Sequence, residues 1–186
     1  MKIKPVHHFI LAKEQNFKIA AAVANAWSET RQQVVTGFLD RLDARLKTKL
    51  KGWKSDREQT CYENSWASYV LWKPAWRGDY GLGLMWAEYG KVMSFGVFRD
   101  KDTFGQRPFC EELFKAVSSI QSSAKKNPWW EASVRMNHPD TDWSKPEVLW
   151  QMHTDKYFLD EVSSKLLEVA KGSEQIIDKL ARKYRK

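Results

Sequence analysis

The chain is poor in cysteine and in the residues that interrupt a fold. Cys61 and Cys110 are the only cysteines in 186 residues. Two isolated thiols do not make a disulfide framework, so both are predicted to be free. Nine glycines, six prolines and a hydrophobic content of 42 % exclude a disordered or collagen-like chain. The length and composition predict one globular domain over residues 1–186.

Long hydrophobic runs are also missing. The N-terminus has a lysine-rich start but no apolar stretch long enough for a signal peptide. Nothing approaches the roughly 18–20 apolar residues of a membrane span. We therefore expect a soluble, cytoplasmic protein that does not bind membranes.

The motifs of common catalytic sites are absent. There is no Cys-x-x-Cys, His-Glu-x-x-His or Gly-x-Ser-x-Gly. None of the 23 acidic residues is followed two positions later by lysine, the pair that a metal-dependent nuclease needs on one strand face. We expect no metal, no cofactor and no enzymatic activity. The enzyme alternative requires scattered side chains to converge in a pocket: Glu88, His138, Asp140 and His153.

Tryptophan, in contrast, is abundant, and it marks the predicted sheet. Five of the ten tryptophans lie between Trp53 and Trp86. Residues 80–88 and 92–98 alternate in side-chain character and flank a turn at 89–91, which predicts an antiparallel hairpin. Gly81, Gly83 and Gly96 leave part of one sheet face bare. The bare surface indicates close packing of a helix, or alternatively the floor of a ligand groove.

Helical periodicity surrounds this sheet and defines an α+β fold. Apolar residues recur at three- and four-residue spacing over residues 10–51, with a kink predicted at 25–28, where Ser28 is a candidate cap. A shorter amphipathic helix is predicted over 108–123 and a final one over 155–184. The sequence predicts an antiparallel sheet of three to four strands (58–99) packed against long N- and C-terminal helices and one middle helix. A tryptophan-rich connection spans 125–151.

A net charge of +8 favours acidic partners, either nucleic acid or an acidic protein surface. The positive residues concentrate in two segments, near the end of the first long helix and near the C-terminus. They are the candidate phosphate contacts of a nucleic-acid-binding alternative: Arg41, Arg45, Lys47, Lys49, Lys51, Lys54, Arg57, Lys179, Arg182 and Lys183. The alternative explanation is that these residues are solvated at helix ends, where their positive charge complements the helix dipole.

Aromatic residues together with arginine are the types that dominate protein–protein hot spots. The candidates for such a surface are Trp72, Trp76, Arg77 and Trp86. Trp76 precedes Arg77-Gly78-Asp79 in a predicted turn and is expected to be exposed, so that its loss affects binding rather than folding. The alternative places all three tryptophans in the core.

A series of short aromatic motifs resembles one known family. Lys73-Pro74-Ala75-Trp76 ends a strand, residues 80–88 form the next, Phe95-Gly96-Val97 follows, and Pro128-Trp129-Trp130 comes after a helix. This order resembles the region that follows the catalytic domain in a bacterial branch of the PD-(D/E)XK nuclease superfamily. There the corresponding motifs are Lys-x-x-Trp, Ile-x-Phe-Glu, Phe/Tyr-Gly-Ile and Trp-Trp. The resemblance covers roughly residues 46–177.

The resemblance does not extend to the nuclease core, because this sequence lacks the proline-aspartate and acid-x-lysine elements of that core. It implies an accessory module that exists alone and carries no catalytic residue. Such a module is expected to bind a protein partner, as a phage or mobile-element inhibitor of a bacterial defence complex of the CRISPR or restriction type would. The alternative is a basic protein that binds nucleic acid and acts with a nuclease.

Overall fold

The computed structural model describes residues 5–57, 66–76, 79–99, 108–137 and 139–184. Within them, five α-helices are present. In chain order they are α1 (Pro5–Leu11), α2 (Glu14–Lys49), α3 (Glu111–Ser118), α4 (Pro146–Thr154) and α5 (Lys156–Lys183). The middle and C-terminal helices lie where the periodicity predicts them.

Six strands form one sheet in the described part of the chain. Every neighbouring pair is antiparallel, in the order β1-β2-β3-β4-β6-β5. The strands are β1 (Lys54–Arg57), β2 (Trp66–Trp72), β3 (Tyr80–Ala87), β4 (Val92–Arg99), β5 (Lys125–Asn127) and β6 (Trp130–Arg135). The α+β class and the antiparallel sheet are confirmed.

The prediction of three to four strands over 58–99 is wrong, because the sheet extends beyond both limits. β1 lies before residue 58, and the hairpin β5–β6 lies inside the segment predicted to be a connection. β6 does not show simple alternation, since Glu131 is buried there in an ion pair with Arg99. A buried charge therefore hides the strand pattern. Residues 58–65 of the predicted sheet lie outside the described residues.

One face of the sheet packs against the helices and forms the core. Cross-strand neighbours Tyr69, Leu84, Phe95 and Val134 lie in one row of this face, and all are buried. α5 contacts β3 and β4, and α3 packs between α5 and β6. At the alternate positions of β2, which point to the other face, the side chains are only half-buried: Ser68, Val70 and Trp72.

Trp143 lies at the centre of an aromatic cluster that joins the helices to the sheet. Its ring makes edge contacts with Phe38 of α2 at 5.4 Å and with Trp86 of β3 at 5.1 Å, and Phe158 of α5 lies at 6.3 Å. Trp143 is fully buried. Trp143, one of the tryptophans of the predicted connection, is thus a core residue.

The glycines of the sheet make room for neighbouring strands rather than for a helix. A Cβ at Gly83 would lie 1.9 Å from the backbone oxygen of Tyr69 on β2. A Cβ at Gly96 would lie 2.1 Å from the backbone oxygen of Ala132 on β6. The prediction of close helix packing at these glycines is therefore wrong, because the atoms that require glycine belong to adjacent strands.

α2 is a continuous helix of 36 residues, about 54 Å long at 1.5 Å per residue. The helix is unbroken through residues 25–28, where a break or kink is predicted. Residues 20–24 are four alanines and one valine, and alanine is the strongest helix former, so the helix continues past Ser28. Its buried residues all lie between Val35 and Leu46, so only the C-terminal part of α2 contributes to the core.

None of the helices in the described ranges is long and apolar enough to cross a membrane.

Candidate protein-interaction surfaces

Trp76 is a buried structural residue, and the prediction of its exposure is wrong. It ends a short 3-10 turn (Pro74–Trp76) and is 0 % exposed. Its indole nitrogen donates to Asp178 of α5 at 2.7 Å, and its ring packs against Trp53 at 4.8 Å. The turn is therefore folded onto α5 by a hydrogen bond that the local sequence does not reveal.

Lys73 completes this cluster. Its ammonium group contacts Glu174 at 2.7 Å and Asp178 at 2.8 Å and lies within 6 Å of the centroids of the Trp53 and Trp76 rings. Burial alone would raise the pKa of Asp178, but hydrogen bonds from Lys73 and Trp76 outweigh it and hold that pKa below its ordinary value. The Asp178 carboxylate is thus more stable ionised in the folded chain than in the unfolded one.

Asp178→Asn is expected to lower the free energy of unfolding at pH 7 by about 1–3 kcal/mol, because two donors lose a charged acceptor. Since the folded pKa is depressed, the Asp178 contribution is present above the unfolded pKa of about 3.9 and is lost as the pH falls through the folded pKa. Urea titrations of both proteins at pH 7 and pH 3 measure this difference. A gap of the same size at both pH values would contradict a role for the ionised carboxylate.

The other predicted hot-spot residues do not form a common surface with Trp76. Trp86 is 2 % exposed and packs on Trp143, so it belongs to the core, as its alternative interpretation held. Trp72 ends β2 half-buried, with Lys54 5.5 Å from its ring centroid. Arg77 lies outside the described residues. Trp76 and Trp86 therefore offer no surface to a partner, and Trp72 alone of the candidates within the described residues is partly accessible.

Three of the basic residues predicted to contact phosphate are neutralised within the chain. Arg45 pairs with Asp160 of α5, Lys47 with Asp43, and Arg57 with Asp40. Arg57 of β1 reaches back to Asp40 of α2, Lys47 and Asp43 lie four residues apart on α2, and Arg45 joins α2 to α5. The Asp43 carboxylate also accepts a hydrogen bond from the buried Tyr69 hydroxyl at 3.1 Å.

Burial would raise the pKa of Asp43, but hydrogen bonds with Lys47, Ser55 and Tyr69 outweigh it and keep that pKa low. Burial, together with the Asp43 charge, raises the pKa of Tyr69 well above its ordinary range. Asp43 and Tyr69 thus form a structural pair between α2 and β2. Lys47 is committed to this pair rather than available to a phosphate.

The remaining basic residues are spread over two helix ends. Arg41 donates to the backbone oxygen of Met152, and Arg182 donates to the Asp178 carbonyl on its own helix. The others are exposed and make no ion pair with another described residue: Lys49, Lys51, Lys54, Lys179 and Lys183. Five such lysines are a diffuse positive surface.

The most extensive accessible apolar surface belongs to α1 and the first part of α2, which we call the arm (residues 5–33). α1 folds back on α2, where the Asn16 side chain donates to the Phe9 carbonyl at 2.7 Å. Seven large apolar side chains of the arm are 39–68 % exposed: Val6, Phe9, Leu11, Phe17, Ile19, Val23 and Trp27. No residue of the arm is buried.

A second accessible group lies at the junction of α4 and α5, and we call it the junction patch (Trp150, His153 and Tyr157). Trp150 is 67 % exposed and Tyr157 is 74 % exposed. The His153 ring lies 6.0 Å from that of Trp150. The side chain of Asp155 accepts from the Tyr157 amide at 2.7 Å and caps α5, which fixes the angle between the two helices.

The residues of the enzyme alternative occupy surface turns and a helix end. Glu88 lies exposed in the turn between β3 and β4, Asp140 lies in the turn before Trp143, and His153 lies exposed near the end of α4. His138 is outside the described residues. Over the ranges given above, no three His, Cys, Asp or Glu side chains are grouped to hold a metal ion. Cys110 is a free thiol, and Cys61 lies outside these ranges.

Comparison with known protein families, with curated proteins and with solved structures found no match to this chain.

Proposed function

We propose that this chain is a non-catalytic module that acts by binding protein. The observation that carries the proposal is the arm, where seven large apolar side chains are accessible to solvent on a helix that the rest of the chain leaves uncovered. A concentration of exposed large apolar side chains is typical of protein-interaction sites. The junction patch supplies a second, smaller surface of the aromatic type that hot spots favour.

The charge distribution supports protein rather than nucleic acid as the ligand. Between Glu14 and Gln33 the arm has two acidic and two basic residues, Glu14, Glu29, Lys18 and Arg31, so this segment is neutral in a chain of net charge +8. A nucleic-acid groove needs basic side chains beside accessible aromatic rings. Here the accessible rings of the arm lie apart in sequence from the five unpaired lysines, and three further basic residues are neutralised.

The resemblance to the nuclease-associated region adds a class of target to this proposal. A standalone relative of such a region would bind a defence complex and inhibit it. This extension rests on the short motifs alone. It is tested with the same capture experiment, by identifying the proteins that are recovered.

Capture from a bacterial lysate after nuclease treatment is expected to recover protein partners with the wild-type chain. Two variants separate the surfaces: Phe17→Ser with Trp27→Ser removes the arm aromatics, and Trp150→Ala removes the centre of the junction patch. Because these side chains are exposed, both proteins should remain folded, which circular dichroism checks. We expect the arm variant to recover at least about tenfold less partner than the wild-type chain does.

The nucleic-acid alternative makes the opposite prediction for the same experiment. Charge reversal at Lys49, Lys51 and Lys54 would then abolish recovery, and the recovered material would disappear after nuclease treatment or at high salt. Recovery that is unaffected by both surface variants but lost on nuclease treatment would contradict the protein-binding proposal.

A further inference from the structure

The arm carries the seam of a coiled coil. Phe17, Ala20, Ala24 and Trp27 recur at spacings of three, four and three residues, which are the a and d positions of a heptad. These positions lie on one side of α2. Continued along α2, the same register passes through Arg31 and reaches Val34, fourteen residues after Ala20, and Phe38, twenty-one residues after Phe17, which pack in or against the core. The side of α2 that is covered in its C-terminal part is exposed in the arm at Phe17, Ala24 and Trp27, whereas Ala20 is half-buried.

The order of large and small side chains in this seam is symmetric. The sequence is large, small, small, large, and its midpoint is Ala22. In an antiparallel pair of helices, an a position of one helix faces a d position of the other. If two copies of the arm cross at Ala22, Phe17 faces Trp27 of the second copy, and Ala20 faces Ala24 of the second copy. Each large side chain of the seam then faces a large one, and each alanine faces an alanine.

We infer that the arm pairs with the arm of a second copy of this chain, antiparallel and centred on Ala22. This inference rests on the proposed function, because it names the first protein that the arm binds. Alanines at the centre allow the two helix axes to approach within the 8–10 Å of packed helices. The aromatic pairs then close both ends of the interface. A two-fold axis makes both halves of the contact identical.

Charge does not oppose this pairing. The positions that flank the seam near its centre carry no ionised group: Ala21, Val23, Ser28 and Thr30. Within the arm, Glu14 is already paired with Lys18 of the same helix at 2.6 Å. Two copies of a chain of net charge +8 repel each other through most of their surfaces, so the neutral segment 14–33 is a region where they associate at low electrostatic cost.

The accessible area of the seam is that of a small interface. Phe17 and Trp27 of the seam and Val23 beside it offer on the order of 100 Å² each, about 300 Å² per chain, against the roughly 800 Å² per partner of a standard interface. A contact of this size is typical of a weak association that dissociates on dilution.

The mass of the full chain measured by light scattering over a dilution series tests the pairing. The wild type is expected to have twice the 21.8 kDa of one chain at tens of micromolar (roughly the range of a moderate interface) and to dissociate on dilution. Ala24→Glu places a carboxylate in the seam opposite Ala20 and should raise the dissociation constant by about 100-fold. Ala22→Glu is the matched control, because it makes the same change on the opposite side of α2 and should leave the dissociation constant within about twofold.

Cysteine cross-linking tests the orientation, in a background with Cys61→Ser and Cys110→Ser. Mixed Ala20→Cys and Ala24→Cys chains should form a disulfide between the two types, because those positions face each other. Each variant alone should not, because two copies of the same position are offset by four residues, about 6 Å along the helix axes, and the spacing between the helices adds to this offset and places their Cα atoms more than about 7 Å apart. Efficient cross-linking of each variant with itself would contradict the antiparallel register.

The wild-type mass separates this inference from the proposed function. A wild-type chain that stays monomeric at every concentration, or one whose dimer survives Ala24→Glu, overturns the pairing. If the arm variant of the capture experiment still loses its partner, the proposed function stands and the arm binds a different protein. If neither association depends on the arm, the pairing is wrong and so is the claim that the arm binds protein.

Discussion

Replacing Trp76 with alanine is expected to lower the free energy of unfolding by about 3–5 kcal/mol, as much as the same change at Trp86. Trp76 is fully buried, contacts the Trp53 ring at 4.8 Å and donates to Asp178 at 2.7 Å. Its removal leaves a cavity between the 3-10 turn and α5, and the Asp178 carboxylate loses the hydrogen bond that the indole donates. Urea or thermal denaturation followed by tryptophan fluorescence and circular dichroism measures the loss.

Trp150→Ala is the matched control for Trp76→Ala. The same change at a side chain that is 67 % exposed should alter the free energy of unfolding by no more than about 0.5 kcal/mol. Equal and small effects of the two substitutions would mean that Trp76 does not lie in the core. The prediction from the sequence that Trp76 is an exposed binding residue would then be restored.

Gly83→Ala is expected to destabilise the fold by about 3 kcal/mol or more. The new Cβ would lie 1.9 Å from the backbone oxygen of Tyr69, and a backbone atom in a central strand pair cannot move aside as a flexible side chain can. The β2–β3 ladder would have to separate locally, at the centre of the sheet. Denaturation in guanidinium chloride, compared with the wild type, gives the size of the loss.

A second glycine provides the control for this prediction. Gly37 lies inside α2, and its added Cβ would meet only the Arg41 side chain, at 3.6 Å. Gly37→Ala should therefore stabilise the helix by about 0.5–1 kcal/mol, because alanine loses less backbone entropy there. If Gly83→Ala proved as harmless as Gly37→Ala, β2 and β3 would not be paired in this register.

Much of the fold follows from local patterns in the sequence. The alternation over residues 80–98 specifies the β3–β4 hairpin, and the three- and four-residue spacing specifies α3 and α5. The hairpin β5–β6 does not follow, because burial of Glu131 depends on a distant partner, Arg99. β1 is also hidden, since its four residues, Lys54–Arg57, are polar and pair only at the edge of the sheet.

The accessible surfaces could be predicted less well than the fold. Burial of Trp76 depends on Asp178, a residue 102 positions away in the sequence, and no local pattern reveals such a contact. The apolar stripe of residues 17–27 was visible as helical periodicity, but periodicity indicates a covered face without saying what covers it. The order large, small, small, large about Ala22 is symmetric in a way that core packing does not require.

The arm also changes how the positive charge of the chain is interpreted. Arg45, Lys47 and Arg57 stabilise the contacts of α2 with α5 and β1 rather than projecting toward a phosphate. The five exposed lysines without an ion pair leave the remainder of the chain positively charged. Under the proposed function, that charge accelerates encounters with an acidic protein surface, while apolar contacts determine affinity.

The most direct test of the account is photo-cross-linking of the arm inside cells that produce the protein. A photoreactive residue at Val23 flanks the seam, and one at Ala22 lies on the opposite side of the same helix turn. We expect protein adducts from position 23, including one with the mass of two chains, and few or none from position 22. Absence of adducts at position 23, or equal yields at both positions, would contradict the claim that this side of the arm binds protein.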